Sequence, residues 1–352
     1  MKKILIVLLI GHLVTQTILA KEVMVIKEQG YFSAGGKIEK NIGEYSIENA
    51  YKTRLGQTVH GDHASVFYQI PEKSLKNSIV FVHGNGQSSR CWGTAPDGRE
   101  GFNNIFLRKG YRIYLVDQPR RGQAGQSTED ATVSSDRSDQ MRFNQFRLGE
   151  WPNFYEGVQF SHSAEAIDQF FRQMTPNIGI ADRETNVSAY SKVVDIAKNV
   201  ILFTHSAGGD IGWNVAMRNK NVKGIVSFEP GSFVFPEDEV PEIIPNSYVQ
   251  YSPSVVSKEE FQNLTKIPII IYFGANSPYT HSENPGKDFW YATREIGQKF
   301  VDIINSRGGN ATLVDLPKEK IYGNTHFIFS DLNNNEIAEH LSKWLEKNNL
   351  NK

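Results

Sequence analysis

The chain has 352 residues, 39% of them apolar and 22% charged, which is ample for a large core and excludes disordered, collagen-like and coiled-coil readings. Thirty-eight Lys and Arg against thirty-nine Asp and Glu leave a formal net charge of -1, so the basic footprint that phosphate-backbone binding needs is missing and no nucleic acid is expected as a partner. A single cysteine, Cys91, can close no intramolecular disulfide, build no cysteine-rich zinc site and serve no CxxC redox couple.

At the N-terminus, Lys2 and Lys3 precede an apolar run from Ile4 to Ile10 that thins through Gly11, His12 and Thr15 to a small residue at Ala20. That is the order of a secretory signal peptide, and cleavage after Ala20 would leave residues 21–352 as a single domain, secreted or periplasmic. The segment is short, is interrupted by His12 and Gln16, and no Lys or Arg cluster follows it, which argues against an uncleaved anchor. No later stretch is apolar enough to span a bilayer, so no stable membrane insertion is expected once the leader is removed. A monomer and a homodimer both remain open.

Further along, short apolar runs bounded by Gly, Pro, Asn and Asp alternate with longer amphipathic stretches, the rhythm of a mostly parallel sheet covered by helices. Strands are predicted at Val23–Ile26, Ala64–Ile70, Ser78–Val82, Arg112–Val116, Val200–Thr204, Gly224–Phe228, Pro268–Phe273 and Thr312–Leu316. Val80 to Val82 and Ile269 to Ile271 are unbroken apolar runs, which suits strands buried on both faces. Helices are predicted at Ser163–Met174, Asp210–Arg218, Trp290–Ser306 and Glu336–Glu346. Two regions break the rhythm, at about 128–160 and 231–266. Both read as insertions over one edge of the sheet, forming a lid or a pocket wall.

Chemistry concentrates at strand ends. Ile201, Leu202 and Phe203 lead into Thr204-His205-Ser206-Ala207-Gly208-Gly209, and an amphipathic run follows at once, so Ser206 stands on a sharp turn between strand and helix. Small residues around the serine let strand and helix approach, and the turn aims the Ala207 amide at a developing oxyanion. Gly208 satisfies the pattern, whereas Thr204 stands where a glycine is usual; taken alone, such a serine is as readily an ordinary turn residue. After the strand ending at Val82 comes His83-Gly84-Asn85-Gly86, in which a backbone amide near Asn85 would complete an oxyanion hole with Ala207. His83 itself reads as a structural hydrogen-bonding residue. Asp117-Gln118-Pro119-Arg120-Arg121-Gly122 closes another strand at the edge where ligands of open α/β sheets gather. Gly323-Asn324-Thr325-His326 lies beyond the last strand, where a loop histidine can swing to the serine and accept its proton.

These features together resemble the α/β-hydrolase fold over residues 60 to 350, in the chain order serine, acid, histidine. Gly30-Tyr31-Phe32-Ser33-Ala34-Gly35-Gly36, Tyr68-Gln69-Ile70-Pro71, Asp117 to Gly122, Phe228-Glu229-Pro230 and Gly323 to His326 are more narrowly similar to secreted bacterial carboxylesterases of the esterase 713-like group. The fold implied is a mostly parallel sheet of about eight strands flanked by helices. The usual place for the acid, after Pro268–Phe273, offers none in Gly274-Ala275-Asn276-Ser277-Pro278, and the first Asp beyond is Asp288. One strand earlier, Phe228 runs directly into Glu229, beside the strand that bears the serine. The resemblance also implies a glutamate here; Asp288 remains the alternative acid.

The expected activity is hydrolysis of a small-molecule carboxylic ester by Ser206, His326 and Glu229 through an acyl-enzyme, with Ala207 and Asn85 at the oxyanion. A lactonase, peptidase or acyltransferase would use the same triad, and a catalytically silent binding protein would share the fold. No cofactor and no metal is expected. The histidines lack HExxH spacing, Ser89 stands where a dinucleotide fingerprint needs its third glycine after Gly84 and Gly86, and Ile38 stands after Gly36-Lys37 where a phosphate loop needs Ser or Thr. Cys91 and Trp92 line a pocket or simply pack; Arg120 and Arg121 bind an acidic group or form structural ion pairs; Trp151, Phe154, Tyr155 and Phe160 form an apolar substrate site or anchor their insertion.

Overall fold

Eight strands make the central sheet: β1 (Ile26–Lys40), β2 (Thr58–Pro71), β3 (Ser78–Val82), β4 (Arg112–Asp117), β5 (Val200–His205), β6 (Val222–Phe228), β7 (Pro268–Phe273) and β8 (Asn310–Asp315). Their order in space is β1-β2-β4-β3-β5-β6-β7-β8. Pairing is antiparallel at β1–β2 and β2–β4 and parallel everywhere else. This is the fold expected from the sequence, an α/β-hydrolase sheet. The computed structural model describes residues 23–133, 138–179, 182–248 and 253–352, and the expected leader at residues 1–20 lies outside them.

The inner strands are apolar throughout because both faces are covered. Along β3, Ile79 and Phe81 point to one side and Val80 and Val82 to the other, and all four are buried. The Val80 face joins Leu202, Ile225, Ile269 and Ile271 against Val187, Ile211 and Ile296. These last belong to α4 (Arg183–Ala197), α5 (Gly208–Arg218) and α7 (Pro285–Ser306). The Phe81 face joins Phe203, Val226, Phe228 and Tyr272 against Phe102 of α1 (Phe102–Arg108), Phe170 of α3 (Ala164–Arg172) and Ile337 of α8 (Asn334–Lys347). Among the described residues, no helix is long and apolar enough to cross a membrane.

The strand predicted at Val23–Ile26 is corrected. Val23 and Val25 are exposed, and the first strand runs instead from Ile26 to Lys40, paired with β2 from Glu28 opposite Ile70 to Lys40 opposite Thr58. As an edge strand it buries only Ala34, so no apolar run marks it and main-chain pairing alone sets its extent. Helix α4 also escapes the sequence pattern, because its β-branched and aromatic buried residues (Val187, Tyr190, Val193, Val194) sit among Thr, Asn and Ser of modest helix propensity. Asp182 starts it, its carboxylate accepting from the N–H groups of Glu184 and Thr185. The helix lies so close on β1 that a Cβ at Gly35, where φ is +69, would sit 2.7 Å from Ala189 Cα.

The two segments read as insertions are pinned to the core. Segment 128–160 carries α2 (Asp139–Gln145) and a small antiparallel pair, Gly149–Glu150 with Asn153–Phe154. Its Phe143, Phe146 and Leu148 are buried. Segment 231–266 places Val234–Pro236 parallel to Ser254–Val256, followed by α6 (Lys258–Gln262), and packs Phe233, Phe235 and Phe261 on Phe300 of α7. Within the segment Trp151 and Phe154 meet Phe143 edge-on and Phe154 stacks on Phe160, whose ring meets Phe170 outside it, so Phe160 acts as an anchor while Trp151 stays exposed.

Candidate active site

Register brings the predicted residues to one edge. His205 at the end of β5 faces Phe228 at the end of β6, and Phe228 in turn faces Tyr272 of β7, so Ser206, Glu229 and Gly274 leave the sheet side by side. Ser206 has φ +52 and Glu229 φ +48. Such left-handed conformations cost on the order of 1–3 kcal/mol each and persist only where their surroundings hold them. Here the Ser206 N–H donates to Phe228 O at 3.0 Å, its carbonyl accepts from the N–H groups of Gly209 and Gly231, and the Glu229 N–H donates to Tyr272 O at 2.9 Å.

Thr204 fits the elbow because its neighbour gives way. Its methyl group fills the space of the side chain Gly212 lacks, where a Cβ would lie 2.6 Å from Thr204 Cγ2, and its hydroxyl donates to Ser227 Oγ at 2.7 Å. Gly208 lets the helix touch the His-Gly loop, since a Cβ there would meet His83 O at 2.6 Å. A Cβ at Gly84 would lie 2.8 Å from Ser206 Cβ.

The Nδ1–H of His326 donates to Glu229 Oε2 at 3.0 Å. Glu229 Oε1 accepts from the Gly274 N–H at 2.6 Å and from Arg147 Nη2. Burial would raise the Glu229 carboxyl, but the Arg147 charge and the His326 hydrogen bond outweigh it and hold it at about 2. An ionised carboxylate only accepts, so the imidazole proton sits on Nδ1 and Nε2 is left basic. Burial lowers the His326 pKa below its ordinary value, opposed by Glu229 and reinforced by Arg147 and Arg142. The ring lies between Phe146, stacked at 5.2 Å, and Trp290 at 4.4 Å.

Ser206, His326, Ala207 and Asn85 all line one cavity of about 390 Å³, with Phe146, Phe289 and Trp290 among its walls. Arg142, Gln145 and Phe146 reach it from segment 128–160 and Gly231 and Ser232 from segment 231–266. Asp288 is engaged elsewhere. Its Oδ2 accepts from the Ser247 N–H at 2.8 Å, and its Oδ1 accepts from the Ser282 N–H and pairs with His281. Among the described residues, no cluster of three or more His, Cys, Asp or Glu is arranged to hold a metal ion.

His83 has the structural part expected of it. Its Nδ1 lies 2.9 Å from Gly84 O and its Nε2 accepts from the Gln118 N–H, while burial drops its pKa to about 4. Arg120 is buried in an ion pair with Asp62 at 2.7 Å, and Trp92 packs at 3.9 Å on Phe329. Sequence reasoning missed Arg147 and Trp290. Only the place of Arg147 between Phe146 and Leu148 hinted at burial, since Arg142, Asn144, Gln145 and Glu150 make the surrounding stretch polar.

The comparisons agree with this architecture. A solved bacterial esterase superposes with a TM-score of 0.75 at 26% identity, covering 94% of this chain and 98% of its own. A probable secreted lipase phiG from a fungal species (strain ATCC 74256) is 28% identical over 311 residues, which is 76% of this chain and 81% of that protein. Residues 79–318, more than half of the sequence, match the α/β hydrolase family, and the chain belongs to that family.

Proposed function

We propose that the protein is a serine hydrolase that cleaves small carboxylic esters, with Ser206 as nucleophile, His326 as general base and Glu229 as the acid. One observation carries the reading: a histidine whose Nδ1–H is committed to a buried carboxylate shares a cavity with a serine on a strained strand-to-helix turn. The esterase and lipase named above support the ester class.

Ser206 Oγ attacks the ester carbonyl as His326 Nε2 takes its proton, and Glu229 holds the tautomer and stabilises the imidazolium. The Ala207 N–H and an amide near Asn85 bind the tetrahedral oxyanion, each worth roughly 3 kcal/mol of barrier. His326 returns the proton to the leaving alcohol, and water then repeats the sequence to release the acid. A cavity of about 390 Å³ lies near the small end of ligand pockets, which favours short acyl chains. Segments 128–160 and 231–266 serve as its wall, within one domain spanning 21–352. Export follows from the leader-like N-terminus and accords with the secreted relative.

A fluorophosphonate label with the modified peptide identified, run beside graded esters, lactones and amides, tests nucleophile and substrate class together. Labelling at Ser206 is expected, and Ser206→Ala should lose roughly six orders of magnitude in turnover. Activity surviving that substitution within a few-fold would refute Ser206 as the nucleophile, whereas a wild type that neither labels nor turns over any of the substrates would favour the catalytically silent binding protein.

A further inference from the structure

Arg147 is foreign to the hydrolase sheet: it comes from segment 128–160, two residues after α2, and is 1% exposed. Its backbone has φ +60, a conformation an arginine adopts at a cost. Two of its three guanidinium nitrogens are placed: Nη2 donates to Glu229 Oε1 and Nε donates to Ala275 O at 2.9 Å, while Nη1 is buried without a partner among the described residues. Its Cζ lies 5.0 Å over the Trp290 ring that also packs His326. The Trp290 Nε1–H in turn donates to Gln145 O at 3.0 Å, tying the same segment to α7.

A carboxylate can rotate about its last torsion, and apart from the exchange of its two equivalent oxygens only a narrow range of that rotation aims one of them at His326. With Oε1 engaged by both Arg147 and the Gly274 N–H, the carboxylate plane is set and Oε2 alone faces the imidazole. We propose that Arg147 is a positioning residue that orients the Glu229 carboxylate and makes turnover depend on the docking of segment 128–160. The inference rests on the Ser206–His326–Glu229 reading.

The fixed positive charge has a second consequence. The charged and titratable groups around the His326–Glu229 pair are Arg147, Arg142, His205 and, through Thr325, Asp331. The pair must shed one proton to become active, and a nearby cation makes that loss easier wherever the proton resides. Removing the Arg147 charge therefore moves the acid limb of the pH profile to higher pH.

The test measures kcat and KM from acid to alkaline pH for wild type, Arg147→Met, Arg147→Lys and Ser206→Ala, with thermal unfolding of each. For Arg147→Met, kcat falls about 100-fold with KM little changed, and the acid limb rises by about one pH unit or more. For Arg147→Lys, which keeps the charge and loses the fork, the acid limb stays near that of wild type while kcat still falls. If the methionine variant does not fold, the lysine variant decides. A methionine variant whose acid limb does not move, or a lysine variant with wild-type kcat, overturns the proposal. Activity surviving in Ser206→Ala would instead bring down the triad reading beneath it.

Discussion

Glu229→Gln replaces one carboxylate oxygen with an NH2 group, and the surrounding donors dictate where that group goes. Oε1 is surrounded by the Gly274 N–H and Arg147 Nη2, so an NH2 on that side would set donors against donors. The amide therefore turns its oxygen to Arg147 and its NH2 to His326. His326 Nδ1 must then accept, the proton moves to Nε2, and the nitrogen that should take the serine proton is blocked. A reversed tautomer of this kind costs about 10⁴-fold in kcat, near 5.5 kcal/mol of barrier. Loss of the counter-charge to a buried Arg147 also lowers thermal stability, so the assay runs at a temperature where the variant is folded. Hydrolysis of a short-acyl chromogenic ester gives kcat, and fluorophosphonate labelling gives the reactivity of Ser206 itself. Asp288→Asn is the matched control. Asp288 serves Ser247, Ser282 and His281 at the start of α7, so its loss should cost stability and leave kcat within a few-fold. Near-normal turnover in Glu229→Gln, with collapse in Asp288→Asn, would refute the assignment of the acid.

Other expectations follow from the same contacts. Gly84→Ala puts a Cβ 2.8 Å from Ser206 Cβ, closer than side chains pack, so the serine must shift. A displacement of that order costs about 100-fold in kcat, and unchanged kinetics in a folded variant would show that the His-Gly loop yields instead. Gly212→Ala drives a methyl into Thr204 Cγ2 and should destabilise by about 1–3 kcal/mol. Thr204→Ser, which keeps the hydroxyl bonded to Ser227, should recover much of that loss in denaturant unfolding; strictly additive effects would refute the steric explanation. The acid side of the stability curve has a defined sign. The folded pKa of Glu229 is depressed from about 4.5 to about 2, so its contribution of about 3 kcal/mol is complete above pH 4.5 and is lost as the pH falls through 2. Burial raises Asp331 to about 7, which works oppositely, adding stability as the pH drops from 7 toward 4. His83, His205 and His326, all depressed by burial, work against that gain, because the unfolded chain protonates each of them before the fold does. Melting temperatures should therefore decline from about pH 6.5 and keep falling below about pH 4.5 as Glu229 protonates, and a loss confined to pH 5–7 would contradict the charge assignment.

Much of this molecule is legible in one dimension. Strands buried on both faces declare themselves as unbroken apolar runs, and β3, β5 and β7 lie where the runs from Ser78, Val200 and Pro268 place them. The strand ends carry Ser206, Glu229 and His326 because a parallel sheet gathers the C-terminal ends of its strands on one edge, so chemistry written after each run converges there. The first strand is another matter, since a ribbon exposed to water has no apolar run to show and is marked by its hydrogen-bonding partner alone. What accommodates Thr204 is likewise invisible, because Gly212 lies a turn along a helix and only packing makes the two neighbours.

The sequence by itself determined the inner strands of the sheet, the sharp serine turn and the candidate partners, because each depends on residues adjacent in the chain and on the period of a strand or helix. Only the tertiary structure decided which carboxylate meets the histidine, and it brought in Arg147 to bind that carboxylate from a segment 82 residues away. The physical reason is that a side-chain pair is formed by the convergence of distant backbones. No local pattern records the torsion of a glutamate or the sign of the charge that will be packed against it.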